Sequence, residues 1–382
     1  MRILHVIYDD IGNPWVGGGG AYRTLEIYSR MVKGGERIQV VCGMYPGAAL
    51  TENRGGVQYR RVGSKRSYVL SRLTYMLAAA RLIKRGGYDI VIEDVSPFSP
   101  VGVPLWCGRT PSVASVQNVY GEHASKKYGI KGWGPRLVER PLLSLFKNFV
   151  ATSIQVGEQL KELKGEQANV RVIRYSASPV FFSAGQMPGG PRPDDPYILS
   201  IGRIDVYQKG LDRLVAAFDE LASKVPAVRL FIAGGGASAQ MFALDNLVAH
   251  ARHRNRIRFV GQVDQVRAAE LMKHALLVAI PSRYETGPIT ALEAGAAGVP
   301  VVGTNIAGLR DNAPQYPAGH GMLVPEDDPH ALAEAMRRVA TDPDLRANMG
   351  EAGKSWAAQF TWDAIAREQL DLYKELVLRR EE

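Results

Sequence analysis

The feature that most constrains this chain is an alternation, sustained along nearly its whole length, of short apolar runs with helix-length amphipathic stretches. In the first half the apolar runs are RILHVIY, IQVVCG, DIVIED, SVASVQ, NFVATS and VRVIRY. Helical patterns such as AYRTLEIYSRMVKGG and LSRLTYMLAAARLIKRGG lie between them. Strands separated by helices pair in parallel, because a parallel pair needs a long crossover. The segment SAGQMPGGPRPDDP, residues 183–196, then breaks the series. It is rich in Pro, Gly and Asp and has no apolar periodicity, so it reads as a linker. A second series follows with strands YILSIGR, VRLFIAGG, IRFVG, LLVAIPS, VPVVGT and GMLVP. Its helices include GLDRLVAAFDELASKV, AAELMKHA, ITALEAGAAG and PHALAEAMRRVATD, and WDAIAREQLDLYKELVLRR closes the chain. A single core stops growing near about 250–300 residues, and this chain has 382. The expected fold class is therefore α/β, with two doubly wound parallel-sheet domains over 1–185 and 195–358. Two such sheets facing each other leave a cleft at their strand C-termini, where open α/β sheets bind ligands.

Composition narrows the setting. Two cysteines, Cys42 and Cys107, allow neither a disulfide framework nor a Cys-rich zinc site, and fit a reducing, cytoplasmic setting. No stretch reads as a signal peptide or a membrane span. Charge is uneven: residues 1–190 hold 25 Lys/Arg against 13 Asp/Glu, a balance of +12, and the remainder 22 against 25, a balance of −3. The basic half should meet something anionic or simply be a solvated surface. Nucleic acid is disfavoured, because the cations are not interleaved with stacking aromatics along a sheet. HASKKYGIKGWGPRLVERPLLSLFKNF, residues 123–149, mixes Lys and Arg with Trp133, Leu and Phe. It reads equally as a peripheral contact with an anionic membrane and as a packed helix with a basic outer face.

The strongest chemical signal is YETGPITALEAGAAGVPVV, residues 284–302. Pro281 and Ser282 end a buried strand, so Glu285 falls in the loop beyond its C-terminal edge. Gly287 and Pro288 open a helix, with Pro suited to the first turn. The N–H groups of Ile289, Thr290 and Ala291 are expected to be free at the helix N-terminus. With the dipole they make an anion site suited to a diphosphate. Glu293 lies too deep in an apolar helix to be an ordinary dipole partner. The two carboxylates can accept hydrogen bonds from hydroxyls, one set on a sugar and one on a ribose.

This Glu-x7-Glu pattern, followed by small residues and Gly-x-Pro-Val-Val, resembles family-4 retaining glycosyltransferases of the GT-B fold. In the family Phe-Gly usually stands two and three places after the first Glu; here those places are Gly287 and Pro288. SIGRIDVYQKGLDRLVAAF, residues 200–218, resembles the family's Gly-Arg-x(n)-Lys-Gly signature, with Gly202 and Arg203 at the strand tip and Lys209 at the helix start. Two cations there would neutralise charge on a leaving nucleoside diphosphate. GGGGAYRTLEIYSRM, residues 17–31, lacks the Gly-x-Gly-x-x-Gly and later acid of a nicotinamide-dependent dehydrogenase. The family carries Gly-Gly there against donor or acceptor, which maps onto Gly19 and Gly20. The strand SVASVQ usually ends in His in the family, where this chain has Gln117. Gln117, Tyr120 and His123 are the candidate acceptor contacts. VIRYSASPVFF, residues 172–182, also departs from the family's usual Val-Ile-Pro-Asn-Gly-Val-Asp. The helix after Trp362, over 360–382, resembles the family's closing helix, which packs back on the N-terminal domain.

The resemblance implies a retaining hexosyltransferase. Its donor would be a UDP-, GDP- or other nucleotide sugar, and its acceptor a lipid-linked, polysaccharide or small-molecule hydroxyl. Arg203, Lys209 and Glu285 would be the catalytic set. Gly202, Gly287, Pro288, Ile289, Thr290 and Glu293 would be donor contacts beside Gly19 and Gly20. No Asp-x-Asp motif stands where a diphosphate needs a metal, so neither a metal nor another cofactor is expected. The competing readings are a nucleotide-sugar 2-epimerase, which would act on donor alone, and a non-catalytic GT-B binding protein, which would be expected to have lost one of these charges.

Overall fold

The apolar runs of the first half form one sheet in the computed structural model, which describes residues 1–16, 18–119, 133–165, 168–184 and 195–381. The first unit comprises Met1–Tyr175 and Trp362–Glu382. Its strands and helices run β1 (Arg2–Val6), α1 (Gly19–Lys33), β2 (Arg37–Gly43), β3 (Thr51–Arg54), β4 (Val57–Val62), α2 (Tyr68–Lys84), β5 (Ile90–Asp94), β6 (Ser112–Val116), α3 (Trp133–Ser144), β7 (Asn148–Ala151), α4 (Ile154–Lys164) and β8 (Asn169–Val172). The sheet order is β3-β4-β2-β1-β5-β6-β7-β8. Every pairing is parallel except β3 with β4. Central strands covered on both faces are near-continuously apolar: Ile3, Leu4, Val40, Val41, Ile90 and Val91 are all buried, with His5 and Glu93 the buried polar exceptions on β1 and β5. Ser67 and Ser153 cap α2 and α4 through their side-chain oxygens, removing one orphan amide from each helix start.

The second unit spans Ser176–Thr361. It contains α5 (Pro179–Phe182), β9 (Tyr197–Ile201), α6 (Leu211–Lys224), β10 (Arg229–Ala233), α7 (Ser238–Ala249), β11 (Ile257–Gly261), α8 (Gln265–His274), β12 (Leu277–Ile280), α9 (Ile289–Ala297), β13 (Val301–Thr304), α10 (Ala307–Asn312), β14 (Gly321–Val324), α11 (Pro329–Thr341) and α12 (Pro343–Ala357). Its all-parallel sheet runs β11-β10-β9-β12-β13-β14. A core of Leu214, Phe218, Leu221, Leu230, Leu277, Val302 and Met336 lies beneath it. The chain ends in α13 (Trp362–Glu381). This helix packs on α1 of the first unit, where the Tyr28 and Tyr373 hydroxyls meet at 3.2 Å and the Tyr22 and Trp362 rings meet edge to face.

Two expectations are corrected. Residues 51–62 carry a hairpin, β3 and β4, that the apolar-run reading passed over. Its chemistry is a Gly55-Gly56 turn with φ of +57° and +85°, which glycine adopts without penalty. The first unit also stops at Tyr175 rather than at 185, because Ser176–Ala184 belongs to the second unit. There α5 lies against α8 and α9, with Phe181 buried. The linker reading of 183–196 falls largely outside the described residues.

Candidate active site

In the second unit the chain leaves β9 in one direction, to β10 and β11, and returns at β12 to build in the other. The loops after β9 and β12 therefore lie side by side at a topological switch point, where open α/β sheets form their ligand crevice. These loops are 202–210 and 281–288. They line one cavity with Gly202, Arg203, Lys209, Ser282, Glu285, Pro288 and Thr290. The structure thus gathers residues up to 88 positions apart in sequence, Gly202 to Thr290, and the charged trio expected from the motifs lies in this one unit.

Glycines let the loops approach so closely. Gly210 has φ of +64°, and a Cβ there would lie 2.0 Å from the Pro281 carbonyl oxygen. Gly202 has φ of +149°, and its carbonyl sits against Gly234, whose own Cβ would lie 1.8 Å from it. Gly234 belongs to the GGG run after β10, which the motif reading did not use. Polar contacts then fasten loop to loop. The Arg283 guanidinium donates to both Asp212 oxygens at 2.7 and 2.6 Å and to the Tyr207 carbonyl at 2.8 Å. The Arg283 amide donates to the Gln208 carbonyl at 2.9 Å.

Lys209 Nζ donates to Glu285 Oε1 at 2.5 Å, and Ser282 Oγ donates to the same oxygen at 2.8 Å. Lysine and carboxylate, treated separately in the sequence, thus form a pair, with Ser282 as a partner the motif did not single out. Glu285 is 8% exposed, and Oε2 accepts no hydrogen bond among the described residues. Arg203 stands at the open edge, 54% exposed. It donates to Gln208 Oε1 at 3.2 Å and lies 3.7 Å from Asp205. The start of α9 has no side-chain cap, so Ile289 and Thr290 keep amides free for an anion. The Ala291 amide does not join them: it donates to the Pro288 carbonyl at 3.1 Å, closing the first turn. Gly287, with φ of +154°, allows the bend before Pro288. Glu293 lies one turn into α9, half-buried and with no hydrogen-bond partner among the described residues. Burial alone raises its carboxyl to about 7.

The first unit has its own switch point between β1 and β5, and a cavity of about 360 Å³ opens there. Tyr8, Asp9, Tyr68, Arg72, Asp94 and Gln117 are among its lining residues. Gln117 is fully engaged: Nε2 donates to both Asp94 oxygens at 3.0 and 2.9 Å, and Oε1 accepts from the Tyr175 hydroxyl. Gly20 is buried beneath it, and a Cβ there would lie 2.2 Å from Gln117 Nε2. Gly19 is the first residue of α1. Asp9 was not a sequence candidate. Burial first, and the neighbouring Asp94 charge second, raise its carboxyl to about 7. Tyr120 and His123 lie outside the described residues. Among those described, no group of three or more His, Cys, Asp or Glu side chains comes together as a metal site.

These two parallel-sheet units, with their crevices at the switch points, define a Rossmann-like pair of the GT-B class. The family model "Glycosyl transferases group 1" matches residues 187–356, and "Glycosyl transferase 4-like domain" matches 18–176. The chain belongs to the group 1, family 4-like glycosyltransferases. Among curated relatives it is 34% identical over 190 residues to a D-inositol 3-phosphate glycosyltransferase of Xylanimonas cellulosilytica, a match covering 49% of this chain and 44% of that protein. The chain thus spans about half the length of that relative. Among solved structures, sucrose-phosphate synthase from Thermosynechococcus elongatus superposes with a TM-score of 0.81 at 22% identity, covering 99% of both chains. The Anabaena protein HepE, solved in complex with UDP-glucose, gives a TM-score of 0.73 at 16% identity, covering 98% of this chain and 100% of that one.

Proposed function

We propose that this protein transfers a hexose-type sugar from a nucleoside diphosphate sugar to an acceptor hydroxyl, with retention of anomeric configuration. The observation that carries the reading is the convergence of Lys209, Arg203, Glu285 and the uncapped start of α9 on one crevice. Two cations and two free amides suit a diphosphate, and a carboxylate beside them suits sugar hydroxyls. The complex of HepE with UDP-glucose supports a donor of the same chemical class.

In this mechanism the C1–O bond to the β-phosphate breaks as the C1–O bond to the acceptor forms on the same face. The leaving phosphate oxygen takes the acceptor's proton, so no protein nucleophile is needed. Lys209 and Arg203 neutralise charge as it develops on the diphosphate, joined by the amides of Ile289 and Thr290. These cations supply the countercharge without a metal or another cofactor. Glu285 keeps Oε1 on Lys209 and Ser282 and offers Oε2 to the sugar hydroxyls. Glu293, without a hydrogen-bond partner among the described residues, accepts from the ribose. Positioning and fixed charge account for the rate.

The acceptor belongs to the first unit, whose cavity combines tyrosine rings with Asp9, Arg72 and Gln117. A lipid-linked, polysaccharide or small-molecule hydroxyl each fits that chemistry. The decisive experiment is a thermal-shift panel of nucleoside diphosphates and nucleotide sugars, since a ligand of the folded state raises apparent stability. A shift with one base and its sugar conjugate supports the reading. No shift with any nucleotide refutes it.

A further inference from the structure

Helix α2 is apolar on a face where a helix of a water-soluble domain is normally polar. Val69, Leu70, Leu73 and Leu77 recur at helical spacing and are 65%, 38%, 52% and 61% exposed. On the opposite side Ser71, Tyr75, Ala79, Leu82 and Ile83 are buried in the sheet packing, so the fold already uses the helix's inner face. The outer face has cations at both ends: exposed Lys65 and Arg66 before the helix, and Arg81, Lys84 and Arg85 at its close. None of the five pairs with a carboxylate among the described residues. No Asp or Glu occurs from residue 53 to 88, a stretch holding nine Lys and Arg. Near the C-terminal end, Lys84 lies 4.6 Å from the centre of the Trp106 ring. The residue before Trp106, Leu105, is 62% exposed.

We propose that α2 docks this protein on an anionic bilayer, with Val69, Leu70, Leu73 and Leu77 entering the interface and the flanking cations meeting lipid phosphates. An exposed apolar stripe alone does not select an occupant. The charge does: unpaired cations at both ends of a leucine face complement a negative surface carrying an apolar layer beneath it. The segment 123–149 drew the same suggestion from sequence; α2 is a different element, and its outer face is in view. The placement has a consequence for the acceptor. Tyr68 and Arg72 of the same helix line the cavity of the first unit. Arg72 lies over the rings of Tyr8 and Tyr68 at 4.7 and 4.5 Å. A helix seated on lipid would hold that cavity beside the bilayer surface, where a lipid-borne hydroxyl could enter it. The docking itself does not rest on the sugar-transfer reading.

Cosedimentation of the full chain with phosphatidylcholine vesicles, with and without roughly one-third phosphatidylglycerol, tests this proposal. The expected result is binding to the anionic vesicles only, falling steeply as salt screens the attraction over a Debye length of about 8 Å at physiological salt. Leu73→Asn with Leu77→Asn should abolish it. Arg81→Gln with Arg85→Gln, which leaves the apolar face intact and guards against a folding defect in the leucine variant, should weaken it about 25-fold, at about five-fold per cation. UDP-induced thermal shifts should be unchanged in both variants, so failure of docking and failure of the donor reading are separately visible. Undiminished vesicle binding by both variants would overturn the proposal, as would no binding by the wild type at low salt. A wild-type dimer that Leu73→Asn with Leu77→Asn dissolves would also overturn it, assigning the face to a second copy.

Discussion

Glu293 offers a test in which stability and binding move in opposite directions. Burial raises its carboxyl from 4.5 to about 7, so the folded chain holds this proton more tightly than the unfolded chain. Stability from that preference is whole below about 4.5 and is lost as pH rises through 7. The span of about 2.5 units, at about 1.36 kcal/mol each, sets a ceiling of roughly 3 kcal/mol. Solvent reaching the half-buried carboxyl brings the expected value to about 1–2 kcal/mol. Glu293→Gln cannot titrate and keeps the shape. Its unfolding free energy relative to wild type should therefore climb by that amount between pH 4.5 and 8.5. Urea titrations at stepped pH, followed by tryptophan fluorescence, measure the difference. At pH 8 the same variant should bind nucleoside diphosphate more weakly, because the ribose loses an ionised acceptor. A stability difference that stays flat across this range would refute the reading of Glu293 as an acid whose carboxyl is raised by its surroundings in the fold. Unchanged nucleotide affinity at pH 8 would refute the ribose role.

Lys209→Ala and Arg203→Ala should each lower turnover by about two to three orders of magnitude with folding intact. Near-wild-type turnover in both would remove them from the diphosphate. Glu285→Ala should harm sugar transfer while leaving nucleoside diphosphate affinity within a few-fold, read by calorimetry beside a turnover assay; Glu285→Gln separates charge from hydrogen bonding. Gly234→Ala, at φ of +143° and 1.8 Å from the Gly202 carbonyl, should lower the melting temperature and displace the Arg203 loop. An unchanged melting temperature would mean the loops are not held as tightly as described.

The difference between what the sequence reveals and what it hides follows from range. The second unit was legible because its signals are local. Strand, glycine and charge lie within a few residues at both 200–210 and 281–293, and parallel topology brings the two loops together without further instruction. The Lys209–Glu285 pair could be anticipated from that topology, but Ser282 could not, because a serine at a strand end looks like any turn residue. The Ala291 amide was misjudged because a Pro288 carbonyl can close a tight first turn, which no residue type announces. The first unit was harder. Gln117 stands where the resemblance leads one to expect a histidine, so attention fell on what it lacks. Its bonds to Asp94 and Tyr175 cross 23 and 58 positions, and Gly20 is small because that amide lies over it. Asp9 lies three residues past the end of β1 and looks like an ordinary loop acid; only its burial beside Asp94 marks it. The leucine face of α2 was hidden for a related reason. LSRLTYMLAAARLIKRGG reads only as a helix between two strands, and the fold alone reveals that Leu73 and Leu77 are left outside.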